Sequence, residues 1–405
     1  MGGIFRLYRE AYQGLPRQVW LISLIMLVNR SGTMVVPFMT IYLTSPEMGY
    51  SIGKAGIVMG FFGLGAILGG FLGGKITDRI GHYKVQFFTL LGGGLLFIVL
   101  GQVQSFPLIC LVTFILSSVN EAFRPANAAS IAVYANDGNR TRSFSLNRLA
   151  VNLGWALGSA LGGFLATIDY TALFWVDGIT NIAAAFLLKR LLKPSAEPVV
   201  QEVSVVKPVG RSPYKDRTYL VFILLTILFS ICFFQMFSTL PAYFKNELGF
   251  SPFYIGMMMA VNGLVITFLE MVLVFKLEGK RSPTFYITGG VLMVALSYFM
   301  LNLFSINHFM AMMMILMITF GEIFSMPFMN SFWTSRSNAA DRGAYAGLYT
   351  IAWSIAHTTG PLFGAQIADN FGFTILWWSI GALGIVATIG FWLLHIFQEK
   401  KIALG

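Results

Sequence analysis

Apolar runs close to 20 residues long recur along this chain from one end to the other, and no other property restricts its fold as much. A helix of that length crosses a hydrocarbon core of about 30 Å. Twelve such runs can be read, at 18–42, 52–75, 85–104, 107–132, 143–167, 171–192, 218–244, 252–276, 284–303, 308–333, 343–367 and 372–396. Composition agrees. Of the 405 residues, 56% are hydrophobic and 11% charged, against about 25% charged in soluble domains, and the mean hydropathy is +0.73. The 42 glycines suit helices packed closely in lipid, where small residues let backbones approach. The ten-residue alternating segments of a membrane β-barrel are not seen. The expected fold is an all-α membrane protein with twelve transmembrane helices.

The formal charge of +10 reflects topology rather than nucleic-acid binding. All of the 27 Lys and Arg fall at the N-terminus, in the even-numbered loops or at the C-terminus, except Lys54 and Lys245 on the other side and Arg30 and Arg124 inside runs. By the positive-inside rule both termini are cytoplasmic, and the expected location is the cell membrane. The first run is long and lacks a small-residue cleavage site, so no cleavable signal is expected. Cys110 and Cys232 are isolated and the four histidines lack metal-ligand spacing, so neither a disulfide framework nor a metal centre is expected.

Residues 193–217, "KPSAEPVVQEVSVVKPVGRSPYKDR", form the longest polar interval and read as a cytoplasmic linker. The expected organisation is an N-terminal six-helix bundle over 1–192, the linker over 193–217, and a C-terminal six-helix bundle over 218–405. The halves correspond at a shift of 202 positions: Pro125 with Pro327, Arg140 with Arg342, Leu146 with Leu348, Gly158 with Gly360, Gly162 with Gly364. Parallel repeats of this kind place substrate between the halves near the bilayer midplane, where rocking alternates access.

"GGKITDRIGHYK", Gly73 to Lys84, joins the second and third runs. Its Gly74, Asp78, Arg79, Gly81 and Lys84 resemble the cytoplasmic loop motif of the major facilitator superfamily, with His82 where a basic residue is usual. The glycines would allow a tight turn, and Asp78 would take hydrogen bonds from a helix N-terminus or pair with a cation, locking one state. The overlapping "GGFLGGK" mimics a phosphate-binding loop, but Ile76 stands where Ser or Thr is needed and no strand precedes it. Energy is therefore expected from a proton gradient, with no cofactor.

"GWALGSALGG" in run five, carrying Gly154, Gly158 and Gly162, is similar to the antiporter glycine motif of that superfamily, with Ser159 where proline is usual. Gly360-Pro361 supplies the Gly-Pro pair at the equivalent place in run eleven. Glycines four apart let a helix pack tightly on a neighbour, and packing alone is an alternative to an antiport role. "NEAFRPA" in run four and "GEIFSMP" in run ten resemble the multidrug, drug:proton antiporter branch. The resemblance covers essentially the whole chain. It implies two pseudo-symmetric six-helix bundles with runs one, four, seven and ten around a cavity.

Four charges fall well inside runs: Arg30, Glu121, Arg124 and Glu322. Each facing lipid would cost about 2.5–3.5 kcal/mol, so they are expected to face the cavity or each other. Glu322 has no base beside it in its helix and is the expected proton carrier, able to take a proton from one side and release it to the other; the alternative is a structural partner for Arg124 or Arg30. Glu121 and Arg124 share a helix face, either as a static pair or as part of the coupling. Pro125 and Pro327 free backbone carbonyls, as functional hinges or as mere kinks. Asn29, Gln235 and Asn262 are candidate polar contacts to substrate, and Phe234 and Trp353 candidate apolar ones. Aromatic and Met-rich stretches also serve packing, or an adaptable pocket.

The resulting expectation is a monomeric, proton-coupled exporter of small lipophilic or cationic compounds, and not an enzyme. The alternative is a proton-coupled symporter of small zwitterions such as di- and tripeptides: "AFRPAN", "FSLNRLAVNLG" and "GEIFSMP" also look like patterns of proton-dependent oligopeptide transporters. Asn29 replaces that family's glutamate beside Arg30. A receptor or scaffold is disfavoured by the short loops.

Overall fold

In lipid every backbone amide and carbonyl must be satisfied within the protein, and a helix does this within one segment. The computed structural model describes residues 13–135, 139–193, 212–277, 279–337 and 342–403, and the regular structure among these is all helical, with no strand. Twelve rods follow the twelve apolar runs and are called spans one to twelve. Span one is in two pieces, Arg17–Ser31 and Val35–Leu43. The next five are Ile52–Ile80, His82–Leu100, Phe106–Tyr134, Arg140–Leu165 and Thr171–Leu191. Span seven is again in two pieces, Arg217–Phe234 and Thr239–Asn246, joined by a short 3-10 turn at Gln235–Phe237. Spans eight to twelve are Pro252–Leu277, Pro283–Leu303, His308–Arg336, Arg342–Phe371 and Phe373–Ala403. Most of linker 193–217 lies outside the described residues, as do the side chains of Arg140 and Arg342.

Local chemistry sets several boundaries. Proline begins spans eight and nine and stands in the first turn of span four, where its missing N–H costs nothing. Asp216 caps span seven by accepting the Tyr219 amide at 3.1 Å, and Asn307 caps span ten by accepting that of Met310 at 2.9 Å. Helix continues through Pro125, Pro327 and Pro361. Ten of the rods, counting the pieces of spans one and seven as one each, are long and apolar enough to cross a membrane among the described residues. Spans five and eleven are long enough but more polar.

Two corrections to the sequence expectations follow. Spans one and seven were each expected unbroken, yet both are interrupted two-thirds of the way along. The segment expected to be a loop from Gly73 to Lys84 is mostly helix: span two continues to Ile80, and only Gly81 turns the chain, with φ of 86°.

Residues group into two compact units, one of Met1–Val36 with Leu64–Val203, the other of Pro37–Gly63 with Ser204–Gly405. Within the first, span one packs on spans five and six, and span three on spans four and six. Within the second, span seven packs on eleven and twelve, and span nine on ten and twelve. The same pairings thus recur six spans later, as the 202-residue correspondence requires. The first unit's core includes Ile22, Ile25, Leu90, Phe123, Ala184 and Leu188. Large apolar side chains such as Phe71, Phe88, Phe268 and Phe275 are exposed, the pattern of helices whose outer faces meet lipid.

Candidate substrate and proton site

In the first unit the site begins at the break in span one. The helix stops at Ser31, which leaves the amides that open its second piece without helical acceptors. Asp177 of span six supplies them: its carboxylate accepts the Met34 N–H at 3.0 and 3.1 Å and the Val35 N–H at 2.9 Å. Asp177 is fully buried. One turn on, Asn181 accepts from the Asn29 side-chain amide at 2.8 Å and donates to the Asp177 carbonyl at 2.8 Å. Asn29, a candidate substrate contact by sequence, is therefore buried in this clamp. The sequence signal for the clamp was the polar pair four residues apart in "DGITN", but nothing in it pointed across to span one.

Arg30 sits beside this clamp. A Cβ on Gly154 would lie 2.6 Å from the Cβ of Arg30 and 2.9 Å from the Leu27 carbonyl, and one on Gly158 would lie 3.0 Å from the Ser31 carbonyl. The glycine run of span five thus lets it lie directly against the backbone that carries Arg30. Gly162 is buried further along the same helix. The Arg30 Nε is buried and donates no hydrogen bond among the described residues. Its guanidinium is within electrostatic reach of Glu121, which attracts it, and Arg124, which repels it. Glu121 and Arg124 pair at 3.2 Å, with side chains 18% and 71% exposed respectively. The structure therefore gathers three of the four intramembrane charges in one unit.

Span two buttresses span four. Cβ atoms on Gly65 and Gly69 would strike the Phe114 and Ser118 carbonyls, and one on Gly73 would lie 2.5 Å from the Ala122 Cα. The phosphate-loop mimic is a packing stripe with a four-residue period. Gly74, by contrast, faces open space. Asp78, Arg79 and Lys84 are exposed, and Asp78 makes no hydrogen bond or ion pair among the described residues, so the expected lock is not formed within this unit.

In the second unit Glu322 is half-buried. The Asn262 side-chain amide, from span eight, donates to Thr319 Oγ1 at 2.9 Å and reaches Glu322 Oε2 at 3.5 Å. Nearer span seven the polar group is Gln235, which sits in the helix break, fully buried: its amide donates to the Gly360 carbonyl at 2.8 Å and the Ile231 carbonyl at 3.1 Å, and its Oε1 accepts from Thr239 at 2.6 Å. Gln235 thus ties span seven to span eleven. A Cβ on Gly360 would lie 3.2 Å from the Ile231 carbonyl, and Pro361 is buried beside it.

An aromatic wall runs along the same two spans. Trp353 meets Phe229, Phe233 and Phe234 at ring distances of 6.3, 6.2 and 6.0 Å, each near edge-on. Phe234 also packs on His357 at 4.5 Å. Phe234, Trp353 and His357 are all partly exposed, so the wall presents ring surface. His357, one turn beyond Trp353, was not singled out from the sequence. Among the described residues no cluster of three or more His, Cys, Asp or Glu could hold a metal.

The sequence profile of the Major Facilitator Superfamily matches residues 19–361. The chain belongs to the Major Facilitator Superfamily. Its relatives in the superfamily include the MFS-type transporter YqjV of Bacillus subtilis (strain 168), 25% identical with 87% of each chain covered. The Na(+), Li(+), K(+)/H(+) antiporter of Planococcus maritimus is 22% identical, covering 93% of this chain and 95% of that one. Multidrug resistance protein 2 of Bacillus subtilis (strain 168) is 24% identical over 89% and 88%. Among solved structures, a peptide transporter POT in complex with sulfate superposes with a TM-score of 0.78 at 15% identity, covering 96% of both chains. The fold is thus that of the superfamily, and the chain is an integral membrane transporter rather than an enzyme.

Proposed function

We propose that this transporter exports lipophilic or cationic drug-like compounds in exchange for protons, as a monomer in the cell membrane with both termini cytoplasmic. The halves 1–192 and 218–405 alternate access to substrate, and the linker 193–217 lets them move. The observation that carries this reading is Glu322, a half-buried carboxylate on an apolar helix, steadied by the Asn262 amide. Such a group can exchange a proton for a cation. The ring surface of Phe234 and Trp353 suits flat apolar compounds, and aromatic faces attract organic cations. The similarity to a Na(+), Li(+), K(+)/H(+) antiporter supports exchange with protons, and that to a multidrug resistance protein supports drug-like substrates. In proteoliposomes with an imposed pH gradient, dye accumulation should be driven by proton efflux and lost in Glu322→Gln. Full proton-driven transport by Glu322→Gln would overturn the assignment.

A second reading rests on Arg30. Its buried Nε, free for a further hydrogen bond, and its neighbour Arg124 suit a substrate carboxylate, so uptake of small zwitterions such as dipeptides with protons is the alternative. Dipeptide uptake driven by an inward proton gradient, with no dye export, would decide for it.

A further inference from the structure

On the outer face of the second unit, spans nine, ten and twelve enclose an apolar groove of about 630 Å³. Leu292, Phe324, Ile389 and Trp392 form its walls. Among the described residues no charged group lines it. Its polar members Thr288 and Thr388 are buried, with hydroxyls spent on their own helices at 2.8 Å. Leu292, Ile389 and Trp392 are exposed, so the groove opens outward. It runs along span nine from Phe285 to Met293, about 12 Å at 1.5 Å per residue. That is close to one leaflet of a hydrocarbon core about 30 Å thick.

One end of the groove is cationic. The end of span eight and the loop to span nine carry Lys276, Lys280 and Arg281 against the single acid Glu278, and the positive-inside distribution assigns this end to the cytoplasmic surface. Lys276, Lys280 and Arg281 are exposed. The Arg281 guanidinium lies 5.7 Å from the ring centre of Phe285, and Phe285 is part of the groove lining. The positive charge therefore stands over the groove's mouth. Behind it, Ser282 Oγ is hydrogen-bonded to His395 Nδ1 at 2.9 Å, and His395 Nε2 faces Glu399 at 3.5 Å. The Ser282 contact ties the mouth to span twelve, where Glu399 faces His395.

An apolar slot one leaflet long with cations at its membrane-surface end matches one kind of molecule. We propose that the groove binds an anionic phospholipid, with an acyl chain along span nine and the phosphate at Lys280 and Arg281. Basic pockets between helices at the cytoplasmic surface recognise acidic headgroups on the same physical grounds. The groove lining shares no residue with those assigned to substrate and protons.

Trp392 makes the proposal measurable. The purified full chain in detergent is titrated with phosphatidylglycerol or phosphatidylcholine carrying brominated acyl chains, and Trp392→Phe isolates the emission of Trp392. Phosphatidylglycerol should quench that emission at several-fold lower lipid than phosphatidylcholine. Lys280→Gln and Arg281→Gln should each reduce the preference about fivefold, the share of one surface cation. Gly289 lines the groove and a Cβ there meets nothing within 4 Å, so Gly289→Leu should fill the slot and abolish quenching by either lipid while the protein stays folded. Equal quenching by the two lipids in the unaltered chain, or a preference that survives the double charge variant, would overturn the proposal.

Discussion

The carboxylate of Asp177 accepts the backbone N–H of Val35 at 2.9 Å, so a residue on span six caps the helix that restarts in span one. The Met34 amide depends on the same group. Asp177→Ala should destabilise the protein by on the order of 1–3 kcal/mol for each buried amide left without an acceptor. Asp177→Asn keeps one acceptor oxygen and should lose less. Thermal unfolding of detergent-solubilised variants reads the difference, and equal melting temperatures for all three proteins would show that the clamp is dispensable.

Gly154 and Gly74 should respond oppositely to an added side chain. A Cβ at Gly154 meets Arg30 and the Leu27 carbonyl, whereas one at Gly74 meets nothing within 4 Å. Gly154→Val should cost about 1–3 kcal/mol as overpacking and reduce the monodisperse fraction in size-exclusion chromatography. Gly74→Ala should leave the profile unchanged.

Asp216 predicts a pH dependence. Burial raises its pKa, but hydrogen bonds from Arg336 at 2.8 Å, the Tyr219 amide and Tyr345, with the Arg336 charge, outweigh burial and hold the carboxyl below its usual range. A carboxyl lowered in the folded state contributes stability above its unfolded pKa of about 3.9, and that stability disappears as pH falls through the folded-state value. Asp216→Asn should therefore melt below the parent at neutral pH, and the gap should close as pH drops below about 4.

Arg124 separates structure from coupling. Its pair with Glu121 leaves the arginine mostly exposed, and such pairs contribute about 0–1 kcal/mol. Arg124→Ala should barely move the melting temperature. If the pair belongs to the coupling machinery, proton-driven transport should fall all the same. Unchanged transport would mark the pair as passive.

The twelve helices were legible because each apolar run had to satisfy its own backbone in lipid. The span-five glycines were legible too, since a four-residue period announces a packing face without naming its partner. The partner is what the sequence withheld. Asp177 lies in the second turn of span six, and nothing in its neighbourhood announces that its role depends on amides 142 and 143 positions away. Gln235 looked like a lining residue, and it closes a helix break that hydropathy does not register. Gly73 and Gly74 are adjacent and alike in sequence, yet one presses on Ala122 and the other faces open space.

The grouping of residues 37–63 with the C-terminal half bears on how the protein could be divided. A gene cut at the linker looks like a clean split into two equal polypeptides. The first would carry a hairpin whose packing partners include Asp369, which Ser51 meets at 2.9 Å, and Gln366, which donates to the Gly53 carbonyl at 2.9 Å. Both are encoded by the second. The hydrogen bonds that hold Ser51 and Gly53 would then form only where both polypeptides are present.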